Sequence, residues 1–332
     1  MVFPLAKTAS DHVPCLVSIY TKIPKSKIFL FENFWVDMLG FMECVRRSWE
    51  ALVFANLSAS AMLTRKFKRL RYDLRVWSKN LSYLKKLTLD CSKVILFFDQ
   101  LEEVRPLVRT EFNSRRIVKL HYERLLKMHY IYWKQQCTIR YIKVGEENSK
   151  FLHAMASERM RKNSIASLKT AGMADPVSDH DQMAGILWAS FKNRMGQAQG
   201  ISMGFDLPNL IQPVPGLEEL SQPFSDDEIM KVLKEMPPDR APGPDGFNGF
   251  FVKRCWPIIE QDFRHLILEF YEGKLSLENI NGSLITLIPK MLSPEGPDDF
   301  RPISLTNTCL KFLTKLLANR LRKVILNCIL KN

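Results

Sequence analysis

Arg240-Ala-Pro-Gly-Pro-Asp-Gly-Phe247 is the stretch on which the fold turns. Pro242 and Pro244 fix φ and each remove a backbone donor, while Gly243 and Gly246 supply positive φ or room for another backbone. The string therefore predicts a rigid, non-helical loop built from Pro242, Gly243, Pro244, Asp245 and Gly246. Just before it, Ser225-Asp-Asp-Glu228 has the spacing of a capping box, Ile229, Val232, Leu233 and Met236 recur at helical intervals, and Pro237-Pro238 ends the run. After it, Trp256, Ile259, Phe263, Leu266 and Phe270 predict a helix that opens near Pro257 and stops near Gly273. Ser283 to Ile288 alternates and branches like a strand, closed by Pro289-Lys290. A polar turn follows over residues 293–299, then a second short strand over 300–305. The last helix starts at about Asn307, with Leu310, Leu313, Leu317 and Leu321 on one face. Helix, loop, helix, strand, turn, strand, helix is an α+β order.

The first half is mostly helical and basic. From Arg65 to Leu87 the residues Phe67, Leu70, Leu74, Trp77, Leu81 and Leu84 step by three and four along one helical face, and the other face is crowded with Lys and Arg. A second helical region, Ile95 to Trp133, carries Leu101, Val104, Val108, Phe112, Val118, Tyr122 and Leu125 as its stripe, with Pro106 placed to split it. Such a pair predicts an antiparallel hairpin. Residues 133–162 interleave aromatic rings with cations, among them Arg140, Lys143, Lys150, Arg159, Arg161 and Lys162, a mixture that neutralises phosphates while stacking bases. Snorkelling surface cations are the competing account of that stretch. Residues 171–224 turn rich in Gly and Pro around a short helical segment near Trp188 and Phe191, the pattern of a connector.

Charge follows the same division. Residues 1–170 hold 31 of the 48 Lys and Arg against 15 of the 35 Asp and Glu, so the net charge of +13 belongs to the first half and favours a polyanionic partner. Seven cysteines stand without a C-x-x-C pair, which suits reduced thiols in an intracellular chain, nuclear or cytoplasmic, better than a disulfide framework or a zinc site. The apolar runs fall short of a membrane span, so a soluble protein without a membrane partner is expected.

Ala241-Pro-Gly-Pro-Asp-Gly-Phe247, Leu284-Ile-Thr-Leu-Ile-Pro-Lys290, Asp299-Phe-Arg-Pro-Ile-Ser-Leu305 and Leu317-Ala-Asn-Arg-Leu321 resemble, in order and spacing, the opening of the reverse transcriptase of plant-type non-LTR (LINE-like) retrotransposons. Tyr132-Trp133-Lys134 through Gly145 to His153 looks like the linker that plant members carry before the polymerase, and Ser10-Asp11-His12-Val13-Pro14 resembles the last motif of their apurinic-type endonuclease. The resemblance implies an endonuclease remnant over 1–20, a basic helical linker over 21–170, a loop-rich connector over 171–224 and a truncated reverse transcriptase domain over 225–332.

It also implies roles. Lys290 and Arg301 would reach the triphosphate of the incoming nucleotide from the two strands of the fingers. Arg140, Lys143, Lys150, Arg159, Arg161, Lys162, Arg240 and Arg320 are the candidate contacts to nucleic acid, and RNA template and DNA are the partners. Mg2+ serves the intact family; no cofactor is expected for this chain. Asp11 and His12 match a phosphodiester-cleaving site by position, with too little of that site to cut. No Asp or Glu follows Asp299, so the palm carboxylates that hold two metal ions are missing and the expectation is a catalytically silent RNA-directed DNA polymerase fragment. A non-enzymatic module binding RNA or single-stranded DNA, and a helical interaction scaffold, are the alternatives from other classes.

Overall fold

The computed structural model describes residues 2–4, 15–17, 28–51, 57–81, 84–137, 149–170, 175–196, 217–291 and 294–329. The fold is α+β and mostly helical, as expected. Among the described residues the α-helices are α1 (Phe41–Glu50), α2 (Ala59–Ser78), α3 (Leu84–Val104), α4 (Arg109–Cys137), α5 (Ser149–Asn163), α6 (His180–Met195), α7 (Asp226–Glu235), α8 (Gly249–Tyr271) and α9 (Thr308–Ile329). Strands β1 (Val2–Pro4) and β2 (Cys15–Val17) pair antiparallel, as do β3 (Ser283–Pro289) and β4 (Phe300–Thr306).

One core joins the two halves of the chain. Phe31, Phe41, Trp49, Phe67, Leu70 and Leu74 from the first half are buried in the same cluster as Phe247, Phe251, Phe263, Phe312 and Leu316 from the second. The ring of Phe247 lies 4.3 Å from that of Phe251 and 5.1 Å from that of Phe67, while Trp256 stacks on Phe312 at 5.5 Å. The segment expected as a linker thus supplies core to the segment expected as a separate domain.

Helix ends are held across the chain. Glu269 on α8 accepts from Ala59 N–H with both carboxylate oxygens at 2.9 Å, satisfying an orphan donor where α2 begins. Asp262 accepts from Trp49 Nε1 at 2.7 Å and from Lys66 Nζ at 2.8 Å, tying α1 and α2 to the middle of α8. Gln135 on α4 donates to Phe31 O at 2.7 Å and accepts from Asn33 N–H at 2.8 Å, latching the base of α4 to the aromatic segment.

Three element predictions need correction. The stripe from Phe67 to Leu84 is not one helix: α2 ends at Ser78, a 3-10 turn covers Lys79–Leu81, and the antiparallel hairpin is formed by α3 and α4, with the break at Pro106. The stripe runs on because Trp77, Leu81 and Leu84 all pack against the same core from successive elements. Within the hairpin, Val104, Val108 and Phe112 leave the seam; they flank the turn and are exposed at 83%, 54% and 54%. The helix expected from Pro257 begins eight residues earlier at Gly249, capped by Asn248, whose Oδ1 accepts from Phe251 N–H at 3.0 Å. Pro257 sits on the exposed side of this helix, away from the core that Val252, Trp256 and Ile259 enter.

The capping box of α7 is complete, with Glu228 N–H donating to Ser225 Oγ and Ser225 N–H donating to Glu228 Oε2. No helix among the described residues is long and apolar enough to cross a membrane. Cys44, Cys91, Cys137, Cys255 and Cys309 are free thiols.

Candidate functional site

The loop at 240–247 is a four-way clamp. Gly243 presses against the end of β4, where a Cβ would stand 2.1 Å from Thr306 O, so only glycine fits. Gly246 has φ +79° and faces Phe29 O at a distance where a Cβ would come to 2.4 Å; its carbonyl accepts from Phe31 N–H at 2.9 Å. Arg71 of α2 donates to Pro244 O, and Lys311 of α9 donates to Ala241 O at 2.8 Å.

Asp245 binds the loop to α9. Its Oδ2 accepts from Thr308 N–H, and its own N–H donates to Asn307 Oδ1 at 3.0 Å, so Asp245 and Asn307 form a reciprocal clasp at the start of α9. Asn307, the residue in position to cap α9, is occupied by the loop and by Ile280 O, and the cap comes from Asp245 instead. Burial pushes the Asp245 carboxyl above its ordinary range, and the hydrogen bonds from Thr308 pull it back.

The clamp fixes the base of the β3–β4 hairpin. Its register pairs Ile288 with Arg301 and Pro289 with Phe300, and Lys290 N–H donates to Asp299 O at 2.8 Å, so strand parity puts Lys290 and Arg301 on the same face. The other face is covered near the turn, where Phe300 and Leu287 pack with Leu168, Met183 and Phe191 in a second apolar cluster, while Ile285 farther along it is 47% exposed. Ile288 and Ile303, on the face of the two cations, are exposed at 42% and 41%. Lys290 Nζ donates to Asp298 O at 2.6 Å, and neither cation is ion-paired to a carboxylate among the described residues. The turn is drawn tight by Asp299, which accepts from Glu295 N–H and Gly296 N–H at 3.0 Å each; those bonds hold its carboxyl below the usual range. Beside the turn, Arg194 of α6 pairs with Asp298, and a cleft of about 400 Å³ lies between Lys169, Ile186, Asn193 and Asp298.

The other expected nucleic-acid contacts are not gathered on that face. Asp11, His12, Arg140 and Lys143 lie outside the described residues, and Lys150 falls in the first turn of α5. On α5, Arg159 donates to Cys137 O at 3.2 Å, Lys162 pairs with Glu158 at 2.7 Å, and Arg161 is exposed. Arg240 is exposed at the mouth of the clamp.

Arg320 is the correction. It is 7% exposed, and its guanidinium donates from Nε and Nη2 to the two oxygens of Glu228, with the other bonds going to the carbonyls of Leu220, Gln222 and Pro223, while its plane covers the Phe224 ring at 3.9 Å. That fork-to-fork pair holds the Glu228 carboxyl down to about 2. Arg320 has no donor left for a phosphate. The signal was readable: Cys309, Phe312, Leu313 and Leu316 are the buried face of α9 and Arg320 continues it one turn on, whereas Leu317 and Leu321 lie on the exposed side.

Among the described residues no three His, Cys, Asp or Glu side chains come together as metal ligands do.

Two known proteins share part of this sequence. The chain is 31% identical over 109 residues to the Transposon TX1 uncharacterized 149 kDa protein of Xenopus laevis, and 30% identical over 106 residues to the Retrovirus-related Pol polyprotein from type-1 retrotransposable element R2 of Nasonia vitripennis. These matches support a retrotransposon-derived chain. Each covers 32% of this chain and only 8% or 10% of the relative's own length. No family model matches.

Proposed function

We propose that this retrotransposon-derived chain is a reverse-transcriptase segment bearing the fingers. Lys290 and Arg301 grip the triphosphate of an incoming nucleotide, and RNA template and DNA are its polymeric partners. The observation that carries the reading is the hairpin register, which sets a Lys and an Arg from two strands on one uncovered face, with the clamp loop fixing the base of that hairpin. A guanidinium can hold two phosphate oxygens at once and an ammonium adds a compact point charge, so the pair suits a polyphosphate better than a single carboxylate. The carboxylate pair that a two-metal transfer needs is not carried by β4 or α9, since residues 300–332 contain no Asp or Glu.

Equilibrium binding of a labelled deoxynucleoside triphosphate to the full chain is the direct test. Lys290→Ala and Arg301→Ala should each weaken it by about tenfold. Unchanged affinity in both variants refutes the assignment. Extension of a primed RNA template with Mg2+ present, lost in the same variants, would extend the role of the two cations from binding to turnover. A non-enzymatic nucleic-acid-binding module is the second reading, favoured by the exposed Arg161 and Arg240; salt-sensitive RNA binding without triphosphate binding would select it.

A further inference from the structure

The two cations of the β3–β4 hairpin depend on a part of the chain far from the clamp. The clamp fixes the base of the hairpin, where Asn307 also donates to Ile280 O at 2.9 Å, but Lys290 and Arg301 sit at the opposite end, beside residues 294–299. What holds that end is residues 168–170 together with 175–195. Leu168 and Val177 exchange backbone hydrogen bonds at 2.8 Å, Lys169 N–H donates to Glu295 O at 2.7 Å, and a Cβ on Gly296 would come within 3.2 Å of Lys169 O. Phe300, the chain neighbour of Arg301, is buried with Leu168, Met183 and Phe191. Their cluster is separate from the main core, so this end of the hairpin has a support of its own.

Helix α6 also reaches Lys290 by a polar route. Asp179 caps its start, accepting from Gln182 N–H at 3.0 Å, and Arg194 falls in its last turn, where a cation suits the helix dipole. The Arg194 guanidinium lies 5.0 Å from the centre of the Phe191 ring and pairs with the Asp298 carboxylate. Asp298 in turn presents its backbone carbonyl to Lys290 Nζ at 2.6 Å. An ammonium has three donors, so that bond orients the group and leaves the others for phosphate oxygens. An ion pair whose carboxylate is 91% exposed adds little to stability; orientation is what it can supply.

We infer that α6 braces the phosphate grip, with Phe191 and Arg194 as positioning residues. Phe191 supports the strand end that carries Arg301, and Arg194, through Asp298, sets the direction of the Lys290 ammonium. The inference rests on the triphosphate reading proposed above and deepens it, since it makes α6 a part of the nucleotide site and not of a connector. A bystander ion pair and a positioning one differ in sign. Acting only through charge, loss of the Arg194 cation weakens the binding of a polyanion and loss of the Asp298 anion strengthens it. Acting through Lys290, both losses weaken it.

The test is equilibrium binding of a labelled deoxynucleoside triphosphate to the full chain. Arg194→Ala and Asp298→Asn should each weaken it about threefold. Neither should cost anything further in a Lys290→Ala background, while both losses persist in an Arg301→Ala background. Phe191→Ala should weaken binding at least fivefold or so, and Phe191→Leu, which refills the cluster, should recover most of the loss. Tighter binding in Asp298→Asn, parental affinity in Arg194→Ala and Asp298→Asn alike, or undiminished losses in the Lys290→Ala background overturns the brace and leaves the triphosphate site standing. A parental chain that binds no triphosphate removes the site and the brace together. Asp298 is at the surface, so Asp298→Asn reports even where Phe191→Ala fails to fold.

Discussion

The clamp around residues 240–247 and the α3–α4 hairpin are both built from unremarkable composition, yet they are stabilised in opposite ways. Around the clamp nearly every group has a partner distant in sequence: Gly246 meets Phe29 and Phe31, Asp245 meets Thr308, and Arg71 meets Pro244. In the hairpin the contacts are local, no residue of α3 is fully buried, and α4 sinks into the core only at its base through Leu125, Met128 and Gln135. Tertiary burial therefore fixes the first region, and helix-to-helix pairing with surface ion pairs shapes the second. Substitutions should be felt very unequally.

The sharpest way to break that contrast is at Gly243. A methyl group there would meet the carbonyl and carbon of Thr306 at 2.1 and 2.4 Å, both backbone atoms that cannot swing aside. Gly243→Ala should cost roughly 3 kcal/mol or more in chemical denaturation, or prevent folding outright. Phe112→Ala in the hairpin removes a larger group and should change stability by no more than about 0.5 kcal/mol, because Phe112 is 54% exposed and contacts none of the core. Equal losses from the two would mean that the hairpin is not a peripheral element.

Arg320 ranks next. Arg320→Ala leaves Glu228 and the carbonyls of Gln222 and Pro223 without their donor, which should cost about 2–4 kcal/mol; the lower part of the range applies because 24% of the Glu228 side chain remains in water. Arg320→Lys should rescue little, since one ammonium cannot reproduce the fork. The pH dependence gives a second readout. Glu228 titrates at about 2 in the folded chain against an ordinary 4.5, so its contribution is present above the unfolded value and is lost as pH falls from 4.5 towards 2. That acid-side loss should shrink in Arg320→Ala.

Glu32 stands where the two regions meet, close to Trp35 and to Tyr132 of α4. Burial raises its carboxyl to about 7, only partly opposed by a hydrogen bond from Trp35. The folded value lies above the unfolded one, so the native state holds the proton more tightly and stability declines as pH rises from 4.5 through 7. Glu32→Gln should remove the decline and stabilise the protein at pH 8 by about 1 kcal/mol. A variant less stable than the parent at pH 8 would show that the charged carboxylate is doing structural work at this junction.

How much of this was readable from the chain differs between the regions for a physical reason. Local rules identified what is locally encoded: the Ser225 and Glu228 box, the Phe67-Leu70-Leu74 stripe, the Pro106 break and the two strands flanking the 293–299 turn. They could say that the loop at 240–247 was rigid, but not that Asp245 caps α9, because a cap supplied from 63 residues away leaves no spacing signal. Arg320 carries a charge, an ordinary mark of the surface, at a position that the periodicity of α9 places on its buried face. Lys290 and Arg301 were legible as a pair only through motif resemblance; their shared face follows from register, which the sequence leaves open until the turn length and pairing are known.

The smallest expected effect lies at the hairpin tip, where Arg105 donates to both oxygens of Glu111, at 2.9 and 2.7 Å, and Glu111 also accepts from Val108 N–H at 2.9 Å. These contacts draw the Glu111 carboxyl down to about 2. Because the tip lies at the surface of the molecule, that shift describes local order and not the stability of the fold. Arg105→Ala should leave the global unfolding midpoint unchanged while amide exchange quickens over residues 104–112, where the backbone turns between helices. Protection that falls instead along α4 as far as Leu125 would show that the tip nucleates the whole hairpin, and the division between a core set by burial and an arm set by local pairing would have to move inward to the base of α4.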